Sequence, residues 1–210
     1  MLTTVPMIKG NVASLILAVV SLTLVQVDCR AEPLFNGRDL SGWVVMNGGD
    51  WTVEEGVLVG RNGTNWTTNP ALSGSWLRTA REYGDFVLEL EYAISSKGNS
   101  GIHFRSLLER NPSFTGYEMQ IVDDAGGQAR KSGTGSLYDV VAPARNVSKP
   151  AGEWNQVRIT CKGKRIQVTL NGEDVVDFQT ADRSPRGYLG LQNHDARSVV
   201  KFRNIRMTEL

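Results

Sequence analysis

Apolar side chains return at every second position in three runs within residues 85–123, and the chain holds no amphipathic helical stretch of convincing length. That pattern narrows the fold more than any other feature. The segment reads DFVLELEYAISSKGNSGIHFRS, then a loop, then GYEMQIVDD. In the second run Ile102 and Phe104 share one face, and His103 and Arg105 share the other. In the third, Tyr117, Met119 and Ile121 alternate with Glu118 and Gln120. Successive residues of a strand point to opposite sides, so each run has one apolar and one polar face. Pairing of these strands would gather His103, Arg105, Glu118 and Gln120 on one sheet surface. A solvated face is the simplest account of any one such strand. A His, an Arg, a Glu and a Gln there, in place of Lys, Thr and Ser, fit a site better.

The rest of the chain follows the same pattern. Residues 32–60 are short apolar runs broken by Asn-Gly, Gly-Gly and Glu-Gly turns. Residues 61–74 read as a polar loop, SWLRT as a strand, and residues 107–115 as a loop. AGGQARKSGTGS is Gly- and Ser-rich and is expected to be a mobile loop near the site. WNQVRITCKGKRIQVTLNGEDVVDF predicts a three-stranded meander, turning at Lys162-Gly163-Lys164 and at Asn171-Gly172. RGYLGLQNHD and SVVKFRNIRMTEL close the chain as two more strands. About a dozen short strands in one domain predict an all-β sandwich or jelly roll of two antiparallel sheets.

The first 31 residues read separately. Lys9 precedes an apolar run from Val12 to Val27, and Cys29-Arg30-Ala31 ends in a small residue. This is the layout of a secretory signal, expected to be cleaved after Ala31 to leave an exported domain of residues 32–210. The run is too short for a comfortable membrane span. Asp28 makes a poor neighbour for lipid attachment at Cys29. Lys9, Arg30 and Asp28 leave with the leader, so 21 Lys and Arg balance 21 Asp and Glu in the mature chain. No basic field favours nucleic acid or an anionic membrane; a neutral or weakly charged ligand fits better. Only Cys161 would remain, in phase with Val157 and Ile159, which predicts a buried hydrophobe rather than a nucleophile.

RGYLGLQNHD places Tyr188, Gly190, Gln192 and His194 on one face and Leu189 and Leu191 on the other. Gly190 is expected to leave space above the sheet for a ligand. Both histidines of the chain thus fall on polar strand faces. In order, LFNGRDLSGW, WTVEEGVLVG, GDFVLELEY, GNSGIHFRS, GYEMQIVDD, PAGEWNQVRITCKGKRIQVTLNG and RGYLGLQNHD…VKFRNIRM resemble the 3-keto-disaccharide hydrolase family. GNSGIHFRS, GEWN and GYLGLQNH are the most specific parts, and the resemblance spans Leu34 to Leu210. It implies a concanavalin-like jelly roll in exported bacterial proteins, acting as a hydrolase or lyase on carbohydrate oxidised at C3.

Roles for the residues follow from the chemistry of such a sugar. The ketone acidifies the proton at C2; its removal allows the C1 substituent to leave, and addition of water gives net hydrolysis. The reaction needs a base at C2, a group to hold the enolate oxygen and an acid at the leaving oxygen. Glu118 and His103 are the candidates for the base. Arg105, or a divalent metal held by the His and Glu residues, is the candidate for the enolate, and His194 for the acid. Gln120 and Gln192 are assigned to sugar hydroxyls, and Tyr138 or Tyr188 to stacking on the ring. Glu118 and Asp123 have opposite parity, which counts against a two-carboxylate glycosidase. Asp123, Asp124 and Asp139 read as turn acids rather than calcium ligands. A non-catalytic carbohydrate-binding module of the same fold remains the competing reading, since fold alone does not separate the two.

Overall fold

The structure, a computed structural model, describes residues 1, 31–64, 74–108, 111–179 and 183–210. The expected leader lies almost entirely outside the described residues. Among the described residues thirteen strands run in chain order: β1 Glu32–Pro33, β2 Trp43–Met46, β3 Asp50–Glu54, β4 Val57–Arg61, β5 Ser75–Tyr83, β6 Phe86–Ile94, β7 Asn99–Ser106, β8 Tyr117–Val122, β9 Asn155–Lys162, β10 Arg165–Leu170, β11 Glu173–Gln179, β12 Gly187–Asn193 and β13 Val200–Glu209. One short helix, α1 Pro112–Thr115, precedes β8.

The strands form two sheets. The larger has the order β11-β10-β9-β6-β13-β4-β3, with β1 also on β13; the smaller has the order β2-β5-β12-β7-β8. Every pairing is antiparallel. Leu77, Leu191, Ile102 and Met119 of the smaller sheet join Leu88, Ile159, Val168 and Phe202 of the larger in one buried core. Alternation thus sends every second residue of the smaller sheet inward and leaves its outer face to Trp76, His103, Glu118, Gln120 and Gln192. Cys161 is buried in the core, as its phase predicts.

The turns are where the residues allow them. Asn171 and Gly172 carry φ of 51° and 83°, the left-handed pair that a two-residue hairpin requires, and join β10 to β11. Lys162 pairs with Arg165 across the other tight turn, completing the expected meander. Within the expected loop of residues 107–115, Asn111 caps α1 by accepting from the Ser113 amide at 2.9 Å, with Pro112 in the first turn.

The Gly/Ser-rich segment departs from the mobile loop expected of it. Its backbone docks along the free edge of β8: Gly135 donates to Gln120 O at 3.0 Å, Gln120 to Ser136 O at 3.1 Å, and Tyr138 to Glu118 O at 2.8 Å. Thr134 and Ser136 are buried. Asp124 pins the segment, accepting from Asn146 Nδ2 at 3.1 Å and pairing with Arg130 at 3.2 Å. An exposed sheet edge is a template for unwanted pairing, and this segment covers it. It also carries Tyr138 to the outer face of the sheet.

Candidate active site

Register places the chemistry. Gly190 on β12 lies opposite Arg78 on β5 and His103 on β7, and His103 lies opposite Glu118 on β8. One step along, Trp76 pairs with Gln192, and Gly101 with Gln120. Two glycines let large side chains lie flat on this surface. A Cβ on Gly190 would come within 2.1 Å of the Trp76 ring, and one on Gly101 within 2.0 Å of Glu118 Oε1. The space over Gly190 is therefore filled by Trp76, not left open to a ligand as the sequence reading expects. Gly190→Ala is expected to cost about 1–3 kcal/mol by displacing a buried indole. Gly101→Ala is expected to keep the fold but shift the Glu118 carboxylate, whose flexible end can yield. A melting curve and a turnover assay on the two variants check this; equal loss of stability in both would contradict it.

Glu118 lies on the floor of a cleft of about 250 Å³, beside Gln120, Gln192 and Asn99. Ser113 and Phe114 of α1 form one wall, and Tyr138 and His194 also line it. Phe114 is nearly half exposed, with its ring 6.3 Å from that of Tyr138. Glu118 is only 3% exposed. Burial pushes its carboxyl up to about 7, against a smaller opposing pull from the Ser113 side-chain hydrogen bond. Such a group changes protonation near neutral pH, as an acid or base must. Gln120 Oε1 accepts from the Ile121 amide at 2.9 Å, which leaves its NH₂ as the group for a ligand.

His194 stands on the turn after β12, with Nδ1 3.2 Å from Asp195 Oδ2. Asp195 is itself fixed, its Oδ1 accepting from the Arg197 and Ser198 amides at 2.9 and 3.0 Å. The aspartate thus sets the orientation of the imidazole, leaving Nε2 for the cleft. Sequence reading missed Asp195, although it follows His194 directly. It also missed Asn99, Asn111, Ser113 and Phe114, which only the folding of β7 and α1 onto the site brings in.

The expected four-residue catalytic cluster divides in the structure. Glu118 and His194 line the cleft together with Gln120, Gln192 and Tyr138. His103 is fully buried, its ring edge-on to Trp76 at 5.6 Å between centroids. Burial lowers its pKa to about 3, so it is a neutral imidazole and a poor candidate for the base. Arg105 is elsewhere. Its φ of 53° breaks the alternation after Phe104 and turns the side chain inward. There it donates from Nε to Gly84 O at 3.1 Å, and through its two terminal nitrogens to Gly163 O and Asp85 Oδ1, each at 2.9 Å. It clamps the β5–β6 and β9–β10 turns and has no part in the cleft. Tyr188 also falls outside the cleft, under the guanidinium of Arg78 at 4.5 Å. Among the described residues no group of three or more His, Cys, Asp or Glu side chains is placed to hold a metal ion. The acids read as turn residues serve turns: Asp123 Oδ2 accepts from the Lys97 amide at 2.8 Å.

A family model described as a 3-keto-alpha-glucoside-1,2-lyase-like domain matches residues 30–208. The chain belongs to this family. Outside the family model, a 3-keto-disaccharide hydrolase from Bacteroides thetaiotaomicron is 25% identical over 228 residues, covering 84% of this chain and 77% of that protein. A solved structure from Parabacteroides distasonis, provisionally described as a glycosyl hydrolase, is 28% identical with a TM-score of 0.71, over 84% of this chain and 92% of that one. A carbohydrate-binding module from Bacillus subtilis shares the fold at 17% identity and a TM-score of 0.55, over 80% of this chain and 96% of that one. The jelly-roll architecture expected of the family is the one observed.

Proposed function

We propose that the protein cleaves glycosides of sugars oxidised at C3, with Glu118 moving the C2 proton. One observation carries the reading: a buried carboxyl poised near pH 7 on the floor of a cleft that also presents a histidine oriented by an aspartate. A relative named as a 3-keto-disaccharide hydrolase supports it. As carboxylate, Glu118 takes the proton from C2. The electron pair forms the C1–C2 double bond and the C1–O bond breaks, with His194 as imidazolium giving its proton to the leaving oxygen. With Arg105 remote, the enolate oxygen is met by side-chain amides, Gln120 foremost. Tyr138 and the exposed Phe114 offer flat apolar surface for sugar rings, whose C–H faces pack on aromatics. Water then adds at C1, and hydrolysis is the net result.

Aglycone release from a 3-keto-glucoside and from the same glucoside unoxidised tests the reading. Release is expected only from the ketone. Because the carboxylate is the active form, the acid limb of the kcat/KM profile is expected to rise with pH through about 7. Equal release from both compounds excludes a role for C2 acidity. Binding of the 3-keto-glucoside without release would favour the carbohydrate-binding module instead.

A further inference from the structure

Beside the cleft lies a much smaller chamber, lined by Ser75, Trp76, His103, Asn111, Gln192 and His194 among others. Its free volume is about 10 Å³, close to what one water molecule needs. Asn111, Gln192 and His194 line both spaces, so the chamber and the cleft share a wall. Three of its polar atoms have no partner in the protein. Neither ring nitrogen of the fully buried His103 has a hydrogen-bond partner, and the buried Gln192 Oε1 has none. Leaving such groups unpaired disfavours the folded state. A neutral imidazole offers one donor and one acceptor, and an amide oxygen accepts. A single water meets two of these three, donating to Gln192 Oε1 and accepting from the His103 N–H. Trp76 closes the chamber with its ring lying over Gly190.

We infer that this chamber holds one water molecule between His103 and Gln192, and that this water is the one added to C1 after the aglycone departs. The inference rests on the proposed reaction. After the first step Glu118 carries the C2 proton, His194 is neutral, and the sugar is an enone with a C1–C2 double bond. The water oxygen bonds to C1, and its surplus proton passes to His194. The double-bond electrons move toward C2, which takes its proton back from Glu118. Atoms and charges balance, and both side chains return to their starting states. His103 is here a positioning residue: it holds the water and touches neither sugar nor aglycone.

Two measurements test this. A crystal structure of the wild-type protein at about 2 Å resolution is expected to show one density peak within about 3.2 Å of a His103 ring nitrogen and of Gln192 Oε1. A chamber without that peak overturns the site. The second measurement follows the products from a 3-keto-glucoside, separating the ultraviolet-absorbing enone from the hydrated 3-keto sugar. His103→Phe keeps a ring against Trp76 and removes the polar atoms; the enone share of product is expected to rise at least tenfold. A share unchanged from wild type overturns the water's role while leaving the proposed cleavage intact. If wild type releases no aglycone, the cleavage itself is wrong and the water's role falls with it. Should His103→Phe fail to fold, Gln192→Leu carries the same measurement.

Discussion

Glu118→Gln is expected to lower kcat on a 3-keto-glucoside by at least about a hundredfold, the lower end of what a positioned acid–base group supplies. The same variant is expected to be the more stable protein at alkaline pH. Burial raises the Glu118 pKa from 4.5 to about 7, so the fold favours the protonated form. Below pH 4.5 the carboxyl is protonated in folded and unfolded chains alike, and it contributes no difference. Between pH 4.5 and about 7 the unfolded chain releases its proton first, and stability falls as pH rises. Above that the folded protein carries the full cost, on the order of 3 kcal/mol. Glutamine keeps the size and a hydrogen bond to Ser113 but never ionises. Its melting temperature is therefore expected to match wild type at pH 4 and exceed it by roughly 5 °C or more at pH 8. Turnover within threefold of wild type would remove Glu118 from the reaction. A melting difference independent of pH would remove the buried-carboxylate account.

Arg105→Ala is expected to do the reverse, harming the fold and sparing the chemistry. The guanidinium is 1% exposed and satisfies two turn carbonyls as well as Asp85. Removing it leaves Gly84 O and Gly163 O without their donor and opens a hole beside Cys161. Breaking a buried pair from one side costs about 3–5 kcal/mol. Asp85 is 37% exposed and can turn to water, so the lower end applies. For a domain of this size that is a fall of roughly 10 °C in melting temperature. Turnover per folded molecule is expected to stay within about twofold of wild type. A large drop in turnover with an unchanged melting temperature would return Arg105 to the site.

The contrast between these two residues shows how far sequence alone reaches. In the sequence both sit in alternating runs, each next to a core aromatic, Glu118 after Tyr117 and Arg105 after Phe104. Glu118 keeps its parity through β8, so its face is readable from Met119 and Ile121. Arg105 loses its parity at a single left-handed residue, and nothing in GNSGIHFRS marks which residue will adopt it. His103 falls on the outer face as its parity requires, yet its protonation state depends on burial, to which Trp76 of β5, 27 positions earlier and on a strand paired with neither β7 nor β8, brings its ring edge.

What the sequence by itself determined was therefore the local part: the strand period, the Asn-Gly hairpin, the polar faces carrying Glu118, Gln120 and Gln192, and the family pattern. Period and turn conformation depend on neighbouring residues only, so they are legible in order along the chain. The tertiary structure alone decided which polar residues became a cleft. It brought β12 beside β7, laid Trp76 over the buried histidine, carried Tyr138 in on the covered edge of β8, and turned Asp195 onto His194. Each of these depends on pairings across long sequence separations or on burial, and burial is what moves Glu118 to about 7 and His103 to about 3. A charge in water and the same charge under an indole are one letter in the sequence; the solvent excluded by the fold makes them different acids.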